Sequence, residues 1–248
     1  MNMFRPCLLV PVYDHEQVLG LLLSKLKPYG LPCLMVDDGS SPSCRTTLET
    51  LQAQEASWVT LIRHEVNQGK GAAIITGLRE AARLGYTHLL QVDADGQHNV
   101  DDVPKFIEAA RAAPTAMVTG APIFDDSVPK KRLYGRYATH VMVWINTLSL
   151  DIRDSMCGFR VYPVAATVAL VDRVKLGLRM DFDIEIIVRM FWAGTPVVNM
   201  PTRVVYPLDG ISHFDLWRDN VRITWLHIRL FFGMLLRAPR LLLRHLHR

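Results

Sequence analysis

Short apolar runs alternate along this chain with stretches whose apolar residues recur every three or four positions. Cys7–Tyr13 reads CLLVPVY, the pattern of a strand buried on both faces, and Pro11 falls near its end, where a backbone donor is no longer needed. Val18, Leu19, Leu22, Leu23 and Leu26 then keep helical spacing until Lys27-Pro28 and Gly30 stop it. Leu31–Val36 predicts a second strand, left through the turn-rich Asp37-Asp38-Gly39-Ser40-Ser41-Pro42. A helix over Arg45–Ala56 follows, then a third strand near Trp58–Arg63. The glycine loop Asn67-Gln68-Gly69-Lys70-Gly71 leads into a helix with Ile74, Leu78, Ala81 and Ala82 on one face. Thr87–Val92 predicts the fourth strand, Val103, Phe106, Ile107 and Ala110 mark a fourth helix, and Ala116–Gly120 predicts the fifth strand.

Such β-α alternation implies a parallel sheet with helices on both faces and right-handed crossovers. Four polar loops then share one sheet edge: Tyr13-Asp14, Asp37–Ser41, Glu65–Gly71 and Asp93–His98. The alternation stops after Gly120. Beyond it the pattern predicts helices over Lys130–Leu148 and Asp181–Trp192, a strand over Cys157–Tyr162, and one or two strands within Val197–Val205. The expected fold class is α/β, with a mostly parallel Rossmann-like sheet and a smaller second lobe. The expected division is a catalytic unit over residues 1–212, whose halves meet near 122/123, followed by a separate segment at 213–248.

The candidate chemistry gathers at Leu89–His98, LLQVDADGQH. Ligands of open α/β sheets bind beyond the carboxyl ends of the strands. Asp93 and Asp95 at that edge repel each other unless a cation lies between or beside them, and Mg²⁺ or Mn²⁺ joining them to a diphosphate supplies one. Lys70, with glycine N–H groups at a helix start, suits an anion such as phosphate. A dinucleotide-binding oxidoreductase is disfavoured, because Pro11–Glu16 carries none of the glycines that should follow the first strand. The absence of a GxSxG elbow disfavours a serine hydrolase.

Composition narrows the picture further. A chain of 248 residues with 50% hydrophobic and 21% charged positions can bury a full core, and no run approaches the length of a membrane span. Met1–Cys7 enters a strand directly, so no N-terminal signal is expected. Cys7, Cys33, Cys44 and Cys157 show no metal-binding spacing and read as small apolar fillers in a reduced, cytosolic compartment. The net charge of +4 is unevenly placed: from His213 onward, seven arginines face two acids, Asp215 and Asp219. Arg218, Arg222, Arg229 and Arg237 fall on one side of a helical projection, with Trp225, Ile228, Phe232 and Leu235 largely opposite. This predicts a helix lying on an anionic membrane surface, broken near Pro239, with the protein peripheral on the cytoplasmic (inner) face. Without a nucleic-acid motif and with an acidic remainder, no nucleic-acid partner is expected.

Five motifs in order carry a resemblance: Pro11-Val12-Tyr13, Asp37-Asp38-Gly39-Ser40, Asn67–Gly71, Asp93-Ala94-Asp95 with Gln97-His98, and Cys157-Gly158-Phe159-Arg160. Over about residues 5–215 the chain resembles family 2 glycosyltransferases, and within them the dolichyl- and undecaprenyl-phosphate sugar transferases. The resemblance implies a GT-A fold and inverting, metal-dependent transfer from a UDP- or GDP-linked sugar to a lipid-linked or other hydrophobic acceptor. It implies that Pro11, Tyr13, Asp37, Asp38, Lys70, Asp93, Ala94 and Asp95 bind the donor, and that Asp93, Asp95 and Gln97 hold the metal. His98 is open between a ligand and a packing role. Arg132, Arg136 and Arg160 are candidates to hold an acceptor phosphate. If the acceptor is a hydroxyl, Asp154 and one of Asp183 or Glu185 are candidates for the base; Glu185 has the alternative of pairing with Arg189 one turn on. The family's usual acid just after the first-strand tyrosine is replaced here by Asp14-His15-Glu16. Two other readings stand beside this one: a sugar nucleotidyltransferase, whose glycine-rich signature after the first strand is absent, and a non-catalytic nucleotide-sugar binder.

Overall fold

The computed structural model describes residues 3–123, 130–204 and 215–246, and among these seven strands form one sheet. They are β1 (Pro6–Val12), β2 (Cys33–Asp37), β3 (Val59–Arg63), β4 (His88–Gln91), β5 (Met117–Ile123), β6 (Arg160–Pro163) and β7 (Val197–Arg203), in the spatial order β3-β2-β1-β4-β6-β5-β7. Every neighbouring pair is parallel except the two made by β6, which runs antiparallel between β4 and β5. The sheet is mostly parallel, as expected, and the reversed strand lies beyond Gly120, where the β-α alternation stops. A strand of four residues, RVYP, gives no directional signal in its sequence.

The helices are α1 (Glu16–Leu26), α2 (Pro42–Gln54), α3 (Lys70–Arg83), α4 (Val103–Ala112), α5 (Lys130–Thr147), α6 (Val164–Val171), α7 (Phe182–Ala193), α8 (Leu216–Leu235) and α9 (Ala238–Leu246). Strand alternation sends β1 side chains to two cores. Leu8, Val10 and Val12 pack with α1, α2 and α4 residues such as Leu19, Leu23, Leu48 and Phe106. Cys7 and Leu9 pack with α3 and α7 residues such as Ile74, Leu78, Phe182 and Ile186. With both faces covered, the polar edge of β1–β4 is the place where the sheet meets solvent. Helix α6 falls in a stretch, residues 163–180, to which the sequence pattern assigns no element. The four cysteines are buried and free.

Ile223, Leu226, Leu230 and Met234 of α8 and Leu241 of α9 belong to the same core as Leu9 and Phe182. Arg244 donates to the carbonyls of Phe191 and Trp192 at the end of α7 (2.9 and 3.1 Å), and the Arg237 guanidinium lies 4.7 Å from the Trp192 ring centroid. Among the described residues, α8 and α9 thus pack onto the core shared by β1, α3 and α7; the expected 212/213 boundary lies outside the described residues. No helix among the described residues is long and apolar enough to cross a membrane.

Candidate active site

A cleft of about 520 Å³ opens at the carboxyl edge of β1, β2 and β4, a volume within the range of small-molecule sites. Pro11 and Tyr13 of the first loop line it, with Asp38, Gly69, Lys70, Asp93, Ala94, Asp95 and Gln97. Parallel pairing of β1 with β2 and β4 brings these sequence-distant loops together.

Lys70, the first residue of α3, sits at the centre. Its Nζ donates to Asp93 Oδ2 at 2.8 Å and to Asp183 Oδ2 at 2.9 Å. Burial by itself lowers a lysine pKa, but the carboxylates of Asp183 and Asp93 outweigh it and raise that of Lys70 above its ordinary value. Burial likewise works against the Asp93 carboxylate, yet Lys70 and His98 hold its pKa well below the usual range. Asp93 Oδ1 also accepts from Gln91 Nε2 at 2.8 Å, and Gln91 Oε1 accepts from Tyr162 Oη at 2.9 Å. A buried chain of polar groups thus aims Asp93 into the cleft. His98 Nε2 lies 3.5 Å from Asp93 while its ring stacks on Phe159, so the ring is wedged between a carboxylate and the core. Gly158 faces the Asp93 carboxylate so closely that a Cβ there would overlap it, which explains the glycine in Cys157-Gly158-Phe159.

Asp95 accepts from the Gln97 backbone N–H at 3.0 Å, and both side chains line the cleft. A carboxylate offers about four lone-pair positions, and the described partners of Asp93 occupy three. Asp93, Asp95 and Gln97 line the same cleft, and carboxylate and amide oxygens are the donors that Mg²⁺ or Mn²⁺ takes.

The adjacent acids Asp37 and Asp38 do different work. Asp37 is fully buried, accepting from Ser40 N–H (2.9 Å) and Arg63 Nε (2.8 Å), so it braces the loop and does not line the cleft. Asp38 lines the cleft but spends its oxygens on Gln68 N–H (3.0 Å), Gly69 N–H (2.7 Å) and His64 Nδ1 (2.8 Å). It thereby fixes the glycine loop that carries Lys70. Gly69 itself has φ of +107° against the carbonyl of Leu178, a conformation and a contact that only glycine tolerates.

Four further sequence candidates are placed elsewhere. Arg160 is 0% exposed and donates to the carbonyls of Asp183, Ser155 and Cys157, so it holds the backbone and cannot reach an acceptor. Glu185 points away from the cleft, to Arg189 (2.6 Å), Arg229 (3.4 Å) and Gly177 N–H (2.8 Å). Of the pair on α7 it is Asp183 that reaches Lys70, as expected for residues two apart on a helix. Arg136 donates twice to Asp154, at 2.6 and 2.7 Å, and His140 lies 3.1 Å from the same carboxylate. Burial opposes ionisation of Asp154, but His140 and Arg136 hold its pKa well below the usual range. Met156 and Cys157 N–H groups complete its shell, and neither Asp154 nor Arg136 lines the cleft. The Arg132 side chain lies outside the described residues.

The cleft also has a wall that sequence reasoning missed. Asp215, Arg218, Asp219 and Arg222 of α8 line it, together with Arg179, which donates to Asn67 Oδ1 at 3.1 Å. The i, i+4 spacing of Arg218 and Arg222 was the available signal, but their place in an apparently separate tail concealed it.

A mixed, mostly parallel sheet with an acidic, lysine-bearing cleft at its carboxyl edge is the GT-A arrangement. The chain belongs to glycosyl transferase family 2, whose pattern matches residues 7–172, and it is a glycosyltransferase. It is 27% identical over 208 residues to the undecaprenyl-phosphate mannosyltransferase of Micrococcus luteus, covering 79% of this chain and 82% of that one. It is 26% identical over 183 residues to the UDP-N-acetylglucosamine–dolichyl-phosphate N-acetylglucosaminyltransferase of Methanococcus voltae, covering 68% and 73% of the two chains. Glucosyl-3-phosphoglycerate synthase from Mycobacterium tuberculosis, solved with Mn²⁺, UDP and phosphoglyceric acid, superposes with a TM-score of 0.68 at 10% identity, covering 93% of this chain and 78% of that one. A mannosyltransferase from Pyrobaculum calidifontis, solved with GDP-mannose and Mn²⁺, gives 0.59 at 15% identity over 94% and 64%. Family membership sets aside the nucleotidyltransferase alternative.

Proposed function

We propose that this glycosyltransferase moves a sugar, with inversion, from a UDP- or GDP-linked donor to a phosphate-bearing lipid at the inner face of a membrane. The observation that carries the reading is the convergence of Asp93, Asp95, Gln97 and Lys70 in one cleft. Relatives that use polyprenol phosphates, and fold neighbours solved with Mn²⁺ and UDP or GDP-mannose, support it.

Cleaving a sugar–diphosphate bond builds negative charge on the departing phosphate while the anomeric carbon becomes cation-like. Asp95, Gln97 and Asp93 would hold a divalent ion, which when bound would supply Lewis-acid neutralisation of that charge. Lys70 adds a positioned ammonium at the start of α3, beside backbone N–H groups. Tyr13 offers a ring to the nucleobase, and Asp38 keeps the glycine loop in place. Asp183, tethered to Lys70, orients the ammonium. An acceptor phosphate is already anionic and needs no general base, which agrees with Glu185 and Asp154 being committed elsewhere.

The outer side of α8 supports the membrane location. Trp217 is 79% and Trp225 60% exposed, and Val221, Ile228, Phe232 and Leu235 continue the stripe, with Arg218, Arg222 and Arg229 along one flank of it. Apolar side chains of this size beside positive charge suit an anionic leaflet.

The test is incubation with UDP- and GDP-sugars, Mn²⁺ and undecaprenyl phosphate. The expected result is a sugar–phosphate–lipid product of inverted anomeric configuration, formed only with metal present. Sugar transfer that proceeds fully in EDTA, or that ignores every lipid phosphate, contradicts the reading.

A further inference from the structure

Two of the three arginines to which the sequence pointed for an acceptor phosphate are committed elsewhere, and the side chain of the third, Arg132, lies outside the described residues. Arg136 is closed onto Asp154 and Arg160 onto backbone carbonyls, while Lys70 lies deep between Asp93 and Asp183. Three other guanidinium groups line the cleft: Arg179, which donates to Asn67, and Arg218 and Arg222. Arg218 and Arg222 stand one turn apart on α8, so both present to the same side. Their side chains are 77% and 41% exposed.

The acids beside them are occupied by the helix itself. Asp215 Oδ1 accepts from Trp217 and Arg218 N–H groups at 3.0 and 2.9 Å, and Asp219 Oδ2 accepts from Asp215 N–H at 2.9 Å. What remains for the arginines, among the described residues, is one contact each: 3.8 Å from Arg218 Nε to Asp215, and 2.9 Å from Arg222 Nη1 to Asp219. With five N–H donors per guanidinium, most of their capacity is left for an anion.

Position on the helix then selects the kind of anion. Stepping about 100° per residue, the buried stripe of Ile223, Leu226, Leu230 and Met234 and the exposed stripe of Trp217, Val221 and Trp225 lie on nearly opposite sides. The two arginines occupy the flank between them. A ligand with its charged end at Arg218 and Arg222 therefore has an exposed apolar track on the same two turns.

We propose that Arg218 and Arg222 form the acceptor subsite, binding a phosphate monoester whose hydrocarbon chain runs over Trp217, Val221 and Trp225. The proposal rests on the lipid-phosphate reading above and adds the side chains that hold the phosphate. Both guanidinium groups clamp the phosphate oxygens at the cleft wall. The apolar stripe, set in the leaflet, lets the lipid's head reach them without leaving the membrane.

The test is direct binding by calorimetry, with farnesyl phosphate, farnesol, inorganic phosphate and phosphatidylglycerol vesicles as probes. The double variant Arg218→Ala/Arg222→Ala should bind farnesyl phosphate about tenfold or more weakly, with Mn²⁺–GDP and Mn²⁺–UDP affinities held within about twofold. The lysine double variant should recover part of the loss, since charge without the bidentate fork is retained. Trp217→Ala should weaken farnesyl phosphate but leave inorganic phosphate unchanged. Farnesyl phosphate affinity unaffected by the double variant overturns the proposal. So does a matching loss of nucleotide affinity, which would give these arginines to the donor, or competition by phosphatidylglycerol equal to that of farnesyl phosphate, which would make them a general headgroup contact. These outcomes are read from binding, so failure of the transfer assay with wild-type protein contradicts the proposed function separately.

Discussion

Two carboxylate–cation clusters touch the Met156–Gly158 stretch, one through Asp93 against Gly158 and the other through Asp154 on the Met156 and Cys157 N–H groups, and they are built for different ends. In the cleft, Lys70 faces two acids, Asp93 and Asp183, at 2.8 and 2.9 Å. Away from the cleft, Asp154 faces Arg136 and His140 at 2.6 and 3.1 Å and accepts two backbone N–H groups as well. The first cluster has more carboxylate than cation and opens onto the cavity, so it can take up a further cation and exchange partners with a diphosphate. The second is saturated and sealed. Composition alone makes both look catalytic; the ratio of charges and the access of solvent separate them.

Replacing the sealed cluster's acid should have the largest effect on the fold. Asp154→Ala leaves Arg136 without its bidentate partner in a buried setting, a loss of about 3–5 kcal/mol and a fall in Tm of about 10 °C. Thermal unfolding checks this, and nucleotide affinity of the protein that remains folded should match wild type. Lys70→Ala should reverse the pattern, weakening nucleoside diphosphate binding by about 1.5–3 kcal/mol, the range for a hydrogen bond to a charged group. Unchanged affinity in calorimetry would remove Lys70 from the donor site.

The smallest effect concerns a group in neither cluster. His227 of α8 is buried against α5, with Nδ1 3.2 Å from Asn146 Nδ2, and burial lowers its pKa to about 4. Because the folded-state value is depressed, the unfolded chain takes up the proton first as pH falls. Stability from this residue is complete above about pH 6.5 and is lost progressively toward about pH 4. Between pH 7 and 5.5 the loss should be about 1 kcal/mol. The Tm difference between His227→Gln and wild type should narrow over that interval, without change in nucleotide affinity.

The same contrast explains what was legible in the sequence. Strand ends carry side chains outward in a fixed direction, so the loops that hold Tyr13, Asp38, Lys70, Asp93, Asp95 and Gln97 could be grouped from the alternation of elements, while the choice of these residues within them came from the family resemblance. Helix α7 is different: from Phe182 to Val188 every residue is buried, so periodicity does not distinguish the face of Asp183 from that of Glu185. Asp37 and Asp38 are neighbours at a strand end, and only the positions of Arg63 and His64 assign one to the frame and the other to the loop. In α8 both sides are apolar, and no one-dimensional pattern states which is covered by the core and which is left outside. For that reason Arg218 and Arg222 read as charge facing a membrane surface and not as part of the cleft wall.

The central claim is that the strand-edge carboxylates make the cleft a metal-assisted nucleotide site. Calorimetric titration of UDP and GDP, with Mn²⁺ or with EDTA, into wild-type protein and Asp95→Ala tests it most directly. Mn²⁺ should strengthen wild-type binding by about tenfold or more, and Asp95→Ala should lose that gain while its Tm stays within about 2 °C of wild type. Equal affinity with and without Mn²⁺, or an undiminished Mn²⁺ effect in Asp95→Ala, would contradict the account.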